Sequence, residues 1–276
     1  MFWSTRKTVE LDYGFENVSI HPTAEVSQDV EIGPFSYIGP HCQVDEGCRL
    51  HNNVSLVSHT VLGKNSEVFP GAVIGAVPQD KKYRGEDSWV VIGHSNSIRE
   101  CVTIHGGTAA SGGVTRVGDR NLLMAGCHVA HDCVLEDDIV VANNVLLGGH
   151  VKIERHANLG GLAAVHHFVT VGQHAFVGGA ARVSRDVPPY LLFEGTRPRT
   201  INKVGLRRRG FSEATIRVLE RAYKLLYRSH LLRREAVRQL REEPGEHEEI
   251  RVLVEFLEAT LKGHLGRAMQ PYDVSF

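Results

Sequence analysis

An aliphatic residue returns at every sixth position through most of this 276-residue chain, and few folds can use such a period. The series runs Ile20, Val26, Ile32, Ile38, Val44, Leu50, Leu56, Leu62, Val68 and Ile74. It resumes at Ile92, Ile98 and Ile104, and again from Val117 through Leu123 and Val129 to Val183. The next residue is often glycine, as at Gly33, Gly63, Gly148 and Gly172. The residue four places on is usually small, as at Ala24, Cys42, Cys127 and Ala163. A helix repeats near 3.6 residues and a half-buried strand at two, so neither explains a period of six. Hexapeptides of this kind build a parallel β-helix. Each supplies one short strand and a turn, and three close a triangular coil. Residues 18 apart then stack, about 4.8 Å from one coil to the next. The aliphatic side chain fills the interior, the small residue fits the corner, and glycine is expected to carry the turn's backbone.

Two stretches interrupt the period. The first, 76–89, contains Gln79-Asp80-Lys81-Lys82-Tyr83. Ile74 and Ile92 are 18 apart, so it is expected to replace part of a coil without shifting phase. The second, 105–116, contains Gly106-Gly107 and Gly112-Gly113. The step from Ile104 to Val117 is 13, so one extra residue is expected to bulge out. Long excursions from a regular scaffold often carry function. The period ends at Pro188-Pro189, which cannot continue a ladder. Beyond Arg207-Arg208-Arg209-Gly210 the spacing becomes helical. Ser212 suits an N-cap, Ile216, Leu219, Tyr223 and Leu226 share one face, and Pro244-Gly245 marks a turn. Ile250, Leu253, Val254, Leu257 and Leu261 form a second stripe. The expected division is an N-terminal extension (1–19), a β-helix (20–187) with loops at 76–89 and 105–116, a connector (188–210) and a helical C-terminal domain (211–276). The helices are expected to cap the open end of the solenoid.

Net charge is −1 and the pI is near 7.0, which argues against nucleic acid and against a polybasic membrane patch. Neither an apolar leader nor a long apolar run is visible, so membrane insertion is not expected and a cytoplasmic location is. The five cysteines include no C-x-x-C pair, and four of them (Cys42, Cys48, Cys127, Cys133) fall in the small corner slot. They read as small buried thiols.

Histidine is unusually frequent, at 16 residues, and the period gives each one an address. None falls in the interior slot or the small corner slot. His41, His59, His156 and His174 take scattered outer positions and read as surface residues. The others gather. His131 plus 18 is Gly149, and plus 18 again is His167. His150 stacks over Asp132 and His166 over Gly148, with His128 at the preceding corner. So dense a patch on a neutral protein is either a metal site or an acid–base site.

Several segments together resemble one family. They are His21-Pro22-Thr23-Ala24, Val102-Thr103-Ile104-His105, Asn121-Leu122-Leu123-Met124, His128-Val129-Ala130-His131-Asp132-Cys133, Asp186-Val187-Pro188-Pro189-Tyr190 and Leu206-Arg207-Arg208-Arg209-Gly210-Phe211. They resemble the acyl-[acyl-carrier-protein]–UDP-N-acetylglucosamine O-acyltransferases of lipid A biosynthesis, in the wider hexapeptide-repeat acyltransferase family. The resemblance implies a left-handed β-helix with a C-terminal helical domain, a homotrimer, and no cofactor or metal. It implies a 3-hydroxyacyl thioester on acyl carrier protein as donor and the 3-hydroxyl of UDP-N-acetylglucosamine as acceptor. His131 would be the general base, Asp132 its orienting carboxylate and the Gly149 N–H an oxyanion donor. Asp80, Lys82, His105, His128, His150, His166 and His167 would meet sugar or donor groups. Asn202, Arg208 and Arg209 match the nucleotide-binding segment, and Gly179 matches the end of the acyl pocket. Three positions depart from the family: Gly106 for a usual Arg, His167 for Gln, and Val204 for an acidic residue. Competing readings are a related enzyme acting on a 3-amino UDP-sugar, a zinc enzyme resembling γ-class carbonic anhydrases, and a non-catalytic scaffold.

Overall fold

The computed structural model describes residues 17–242 and 247–270; the expected Pro244-Gly245 turn and most of the N-terminal extension lie outside them. The chain forms two compact units. The first comprises residues up to Gly126 together with Ala130–Asp132, and the second holds Cys127–Val129 and everything from Cys133 on.

In the first unit three walls of short parallel strands carry the aliphatic series. Ile20, Ile38, Leu56, Ile74 and Ile104 stack on the first wall. Val26, Val44, Leu62, Ile92 and Val117 stack on the second. Ile32, Leu50, Val68, Ile98 and Leu123 stack on the third. Most of these side chains are fully buried, and truncating one such as Leu62 or Ile74 to alanine would cost about 2–5 kcal/mol. Asn and Ser side chains line the same corners, where the Asn96 amide bonds the Gly118 carbonyl at 2.8 Å.

Both interruptions sit at the corner between the first and second walls, and neither behaves as the spacing predicts. Ile92 stacks on Leu62, not on Ile74, so the first loop is an insertion that lengthens its coil to 30 residues. Val117 stacks on Ile92, so the next coil holds 25, seven more than a regular coil rather than one. A multiple of six between Ile74 and Ile92 concealed the first insertion, because phase alone does not say which wall a strand joins.

The turn chemistry also differs from expectation. The residue with positive φ is the third after the aliphatic one: His41 at 56°, Asn53 at 56°, Asp132 at 61°, His150 at 61° and Phe168 at 63°. None of the described residues with positive φ is β-branched, as the crowding of the left-handed region requires. Glycine directly after the aliphatic residue serves close approach instead. A Cβ on Gly33 would stand 2.6 Å from the Asn52 nitrogen of the next coil. The left-handed residue donates its N–H to the carbonyl one place earlier on the preceding coil, as Phe168 does to Gly149 at 3.0 Å.

In the second unit Val129, Leu147, Val165 and Val183 stack on one wall and Leu135, Ile153 and Val171 on another. The third runs Val141, Leu159, Val177. Phe193 then extends the third wall, and the expected connector holds an antiparallel hairpin, Leu191–Glu194 with Arg197–Ile201. Four helices follow: α1 (Lys203–Arg208), α2 (Glu213–Arg228), α3 (Arg233–Glu242) and α4 (Glu248–Leu261). Ser212 caps α2 by accepting the Thr215 N–H at 3.1 Å, and the predicted stripe Ile216, Leu219, Tyr223 and Leu226 is buried. α3 had no strong signal, because only Ala236, Val237 and Leu240 point inward.

Candidate active site

His131 and Asp132 lie at the same kind of corner as the two inserted loops, between the first and second walls. In a regular coil the left-handed residue would donate its N–H to a carbonyl on the coil before. Loop 105–116 takes the place of that corner, and the Thr115 hydroxyl accepts the Asp132 N–H at 2.9 Å. The loop also grips the carboxylate. Thr108 donates its N–H to Oδ1 and its hydroxyl to Oδ2, both at 2.7 Å. The third donor is His131 Nδ1, 2.7 Å from Oδ2. The Asp132 side chain is 2% exposed and the His131 ring 14%. Donors on both oxygens fix this buried carboxylate in place. It holds the hydrogen on Nδ1, so Nε2 is the nitrogen that carries the lone pair.

The two loops brace each other. Ser88 Oγ donates to the Gly107 carbonyl at 2.6 Å, and the Trp89 N–H reaches the Gly113 carbonyl at 2.8 Å. Glu86 receives the N–H groups of Arg84 and Ala109, which hold its carboxyl below the usual range. Gly106 packs on Ser88, and a Cβ there would stand 3.1 Å from the Ser88 Cβ. The glycine at this departure from the family thus fits its own neighbour. His105 is buried in the strand Thr103–His105 that leads into the loop. Asp80 closes a turn, accepting the Lys82 N–H on Oδ1 at 2.9 Å, and Lys82 itself is exposed.

In the second unit His128 lies in the strand His128–Val129, one place before interior Val129, rather than at a corner. His150 stacks on Phe168 with ring centroids 4.2 Å apart and an 8° interplanar angle. The rings of His166 and His167 approach to 3.7 Å. Burial, then His166 and Arg267, hold His167 below the ordinary histidine value. Gly149 lends its carbonyl to the Phe168 N–H. Gly179 is exposed, and a Cβ there would stand 3.3 Å from the Gly161 carbonyl oxygen.

Asn202 is 5% exposed and caps α1. Its Oδ1 accepts the Gly205 N–H at 3.1 Å and its Nδ2 donates to the His174 carbonyl at 3.0 Å. Arg208 and Arg209 end the same helix on the surface, Arg209 reaching the Asp138 carbonyl at 3.3 Å. Val204 is 60% exposed. His174, expected at the surface, is instead enclosed by His156, Tyr190 and Phe211, and burial pushes it down to about 4. Thr108 and Thr115 escaped the sequence reading, since they lie in the loop where the period gives no address.

The family profile described as UDP N-acetylglucosamine O-acyltransferase, domain 2, matches residues 186–265, and one described as the GMPPB C-terminal domain matches 15–151. The acyl-[acyl-carrier-protein]–UDP-N-acetylglucosamine O-acyltransferase of Herminiimonas arsenicoxydans is 42% identical over 250 residues, 88% of this chain and 95% of that one. This chain belongs to that O-acyltransferase family. The enzyme of the same name from Synechocystis is 49% identical over 183 residues, 66% of each chain. The solved UDP-N-acetylglucosamine acyltransferase of Francisella novicida superposes with a TM-score of 0.85 at 40% identity, covering 87% of this chain and 90% of that one. The fold is therefore the left-handed β-helix with C-terminal helices. The resemblance read from the sequence holds, and the O-acyltransferase reading is favoured over the amine-acceptor, zinc-enzyme and scaffold readings.

Proposed function

We propose that this O-acyltransferase moves a (3R)-3-hydroxyacyl chain from acyl carrier protein to the 3-hydroxyl of UDP-N-acetylglucosamine, the first step of lipid A biosynthesis, with His131 as base. Nε2 takes the hydroxyl proton as the oxygen attacks the thioester carbonyl. The Gly149 N–H, one coil above His131 in the sequence register, faces the oxyanion. Collapse expels the carrier's thiol, which recovers the proton from the imidazolium. The observation that supports this most is the His131–Asp132 pair, whose carboxylate is anchored by Thr108 at 2.7 Å twice over. An imidazole with a fixed tautomer suits proton transfer from a hydroxyl.

Asp80, Lys82, His105, His128, His150, His166 and His167 contact sugar or donor groups in this reading. Arg208 and Arg209 bind the diphosphate, for which guanidinium geometry is suited, with Asn202 holding their helix. Gly179 leaves room for a long acyl chain. The enzyme works as a homotrimer in the cytoplasm, with residues of neighbouring copies meeting at each site. Among the described residues no helix is long and apolar enough to cross a membrane.

The test is an acyl-transfer assay with a panel of carrier-protein thioesters and UDP-sugars, run beside metal analysis of the purified protein. His131→Ala should lower turnover by roughly 10²–10⁴ with the fold intact. Near-normal turnover in that variant, or stoichiometric zinc needed for activity, would sink the mechanism.

A further inference from the structure

The second unit holds a half-open pocket of about 370 Å³, lined by none of the residues assigned to catalysis, between the end of the last coil, the hairpin and helices α2, α3 and α4. Its floor is aromatic: Phe193 and Phe256 are buried, and Tyr223 and Tyr227 stack at 5.2 Å. Its rim is cationic. Arg185, Arg197, Arg199, Arg228 and Arg233 all line it. Arg233 lies 4.2 Å from the Tyr227 ring centre and Arg228 lies 6.0 Å from that of Tyr223.

Four arginines elsewhere on the helices are neutralised, whereas Arg208, Arg217, Arg221 and Arg234 lie on the surface with no carboxylate partner among the described residues. Arg207 pairs with Glu213, Arg238 with Glu235 and Glu242, Arg241 with Glu258, and Arg251 with Glu248 and Glu255. On the rim only Arg199 has a carboxylate, Glu194 at 3.4 Å; the other four pair with none among the described residues. The one acid in the lining, Asp186, is occupied by the Thr170 N–H at 2.9 Å and its carboxyl is pushed up by burial. Four unneutralised guanidiniums over aromatic rings match a phosphate on an apolar or aromatic body, since the planar forks engage tetrahedral oxyanions two bonds at a time. The volume lies at the lower end for small-molecule sites.

We infer that this pocket binds a small organic phosphate, at a site separate from the acyl-transfer centre. Calorimetric titration of the whole enzyme, saturated with UDP-N-acetylglucosamine to fill the nucleotide site, tests it with phenyl phosphate, inorganic phosphate and benzoate. Phenyl phosphate should bind saturably at one site per chain, at least tenfold tighter than either of the others. The double variant Arg228→Gln/Arg233→Gln should weaken that binding at least tenfold while its melting temperature and turnover stay near those of the parent. Arg185→Gln, far from the helices in sequence, should weaken it in the same direction. No saturable binding of phenyl phosphate at millimolar concentration overturns the inference, as does binding the double variant leaves unchanged. So does a double variant whose only defect is a raised KM for acyl carrier protein, which would mark the rim as a carrier-docking surface. None of these outcomes depends on His131 being the base.

Discussion

His131 and His174 sit at corners of the same repeat and do opposite things. His131 faces a carboxylate that Thr108 grips, on a residue whose backbone N–H donates to the Thr115 hydroxyl, and keeps part of its ring in solvent. Among the described residues no carboxylate faces His174; it stacks on Tyr190 with a 13° interplanar angle, meets Phe211 edge-on, and burial pushes it down to about 4. The repeat fixes where a side chain emerges. What the neighbouring segment offers, an anchored acid or an apolar lid, decides whether that side chain carries protons or packs.

The sharpest way to break this contrast is to spoil the acid. Asp132→Asn keeps the shape but presents an amide to Nδ1, favouring the tautomer with its hydrogen on Nε2. Turnover should fall about 10²-fold or more, with little change in KM for the UDP-sugar. Steady-state kinetics decide it, and a variant within threefold of the parent would mean that Asp132 does not set the tautomer. Thr108→Val is gentler. It removes the hydroxyl donor to Oδ2 but keeps the backbone N–H to Oδ1. Losing one charge-assisted bond to a buried carboxylate, about 1.5–3 kcal/mol, should lower turnover roughly tenfold and shift the acidic limb of the rate–pH profile. Thr108→Ser should restore both, whereas a purely structural role would lower the melting temperature and leave the profile in place.

On the other side of the contrast, Asn202 ties α1 to the His174 corner. Asn202→Ala should cost about 1–2 kcal/mol in denaturant unfolding through the lost cap. A raised KM for the UDP-sugar with stability unchanged would show instead that the side chain serves the nucleotide directly.

Most of the solenoid was legible because a period of six leaves no other regular fold, and counting by 18 gives His131 and Gly149, and Asp132 and His150, equivalent positions in the repeat. The loops were legible only as interruptions. Their insertion geometry was misjudged because Ile74 and Ile92 keep phase while changing walls. Thr108 and Thr115 were invisible, since their role depends on a loop closing over a corner. Asn202 was read through its family match, and the spacing gave no sign that its buried side chain caps a helix. The hairpin at Leu191–Glu194 and Arg197–Ile201 was missed because prolines at 188, 189 and 198 mask it.

The smallest expected effect tests whether His174 packs rather than titrates. A histidine whose pKa is depressed on folding takes up its proton more readily in the unfolded chain. Its contribution to stability is therefore complete above the unfolded value near 6.5 and is lost as pH falls towards about 4. Part of the ring remains in water, so the effect should be on the order of 1 kcal/mol rather than the full value of the shift. Urea unfolding between pH 7 and pH 4.5 should show the parent losing that amount, and His174→Phe, which keeps the stack on Tyr190 without a titrating group, should lose correspondingly less. Activity at pH 7.5 should be unchanged. Equal slopes in the two proteins would mean that His174 is solvated, and that the corner it occupies differs from the His131 corner only in sequence.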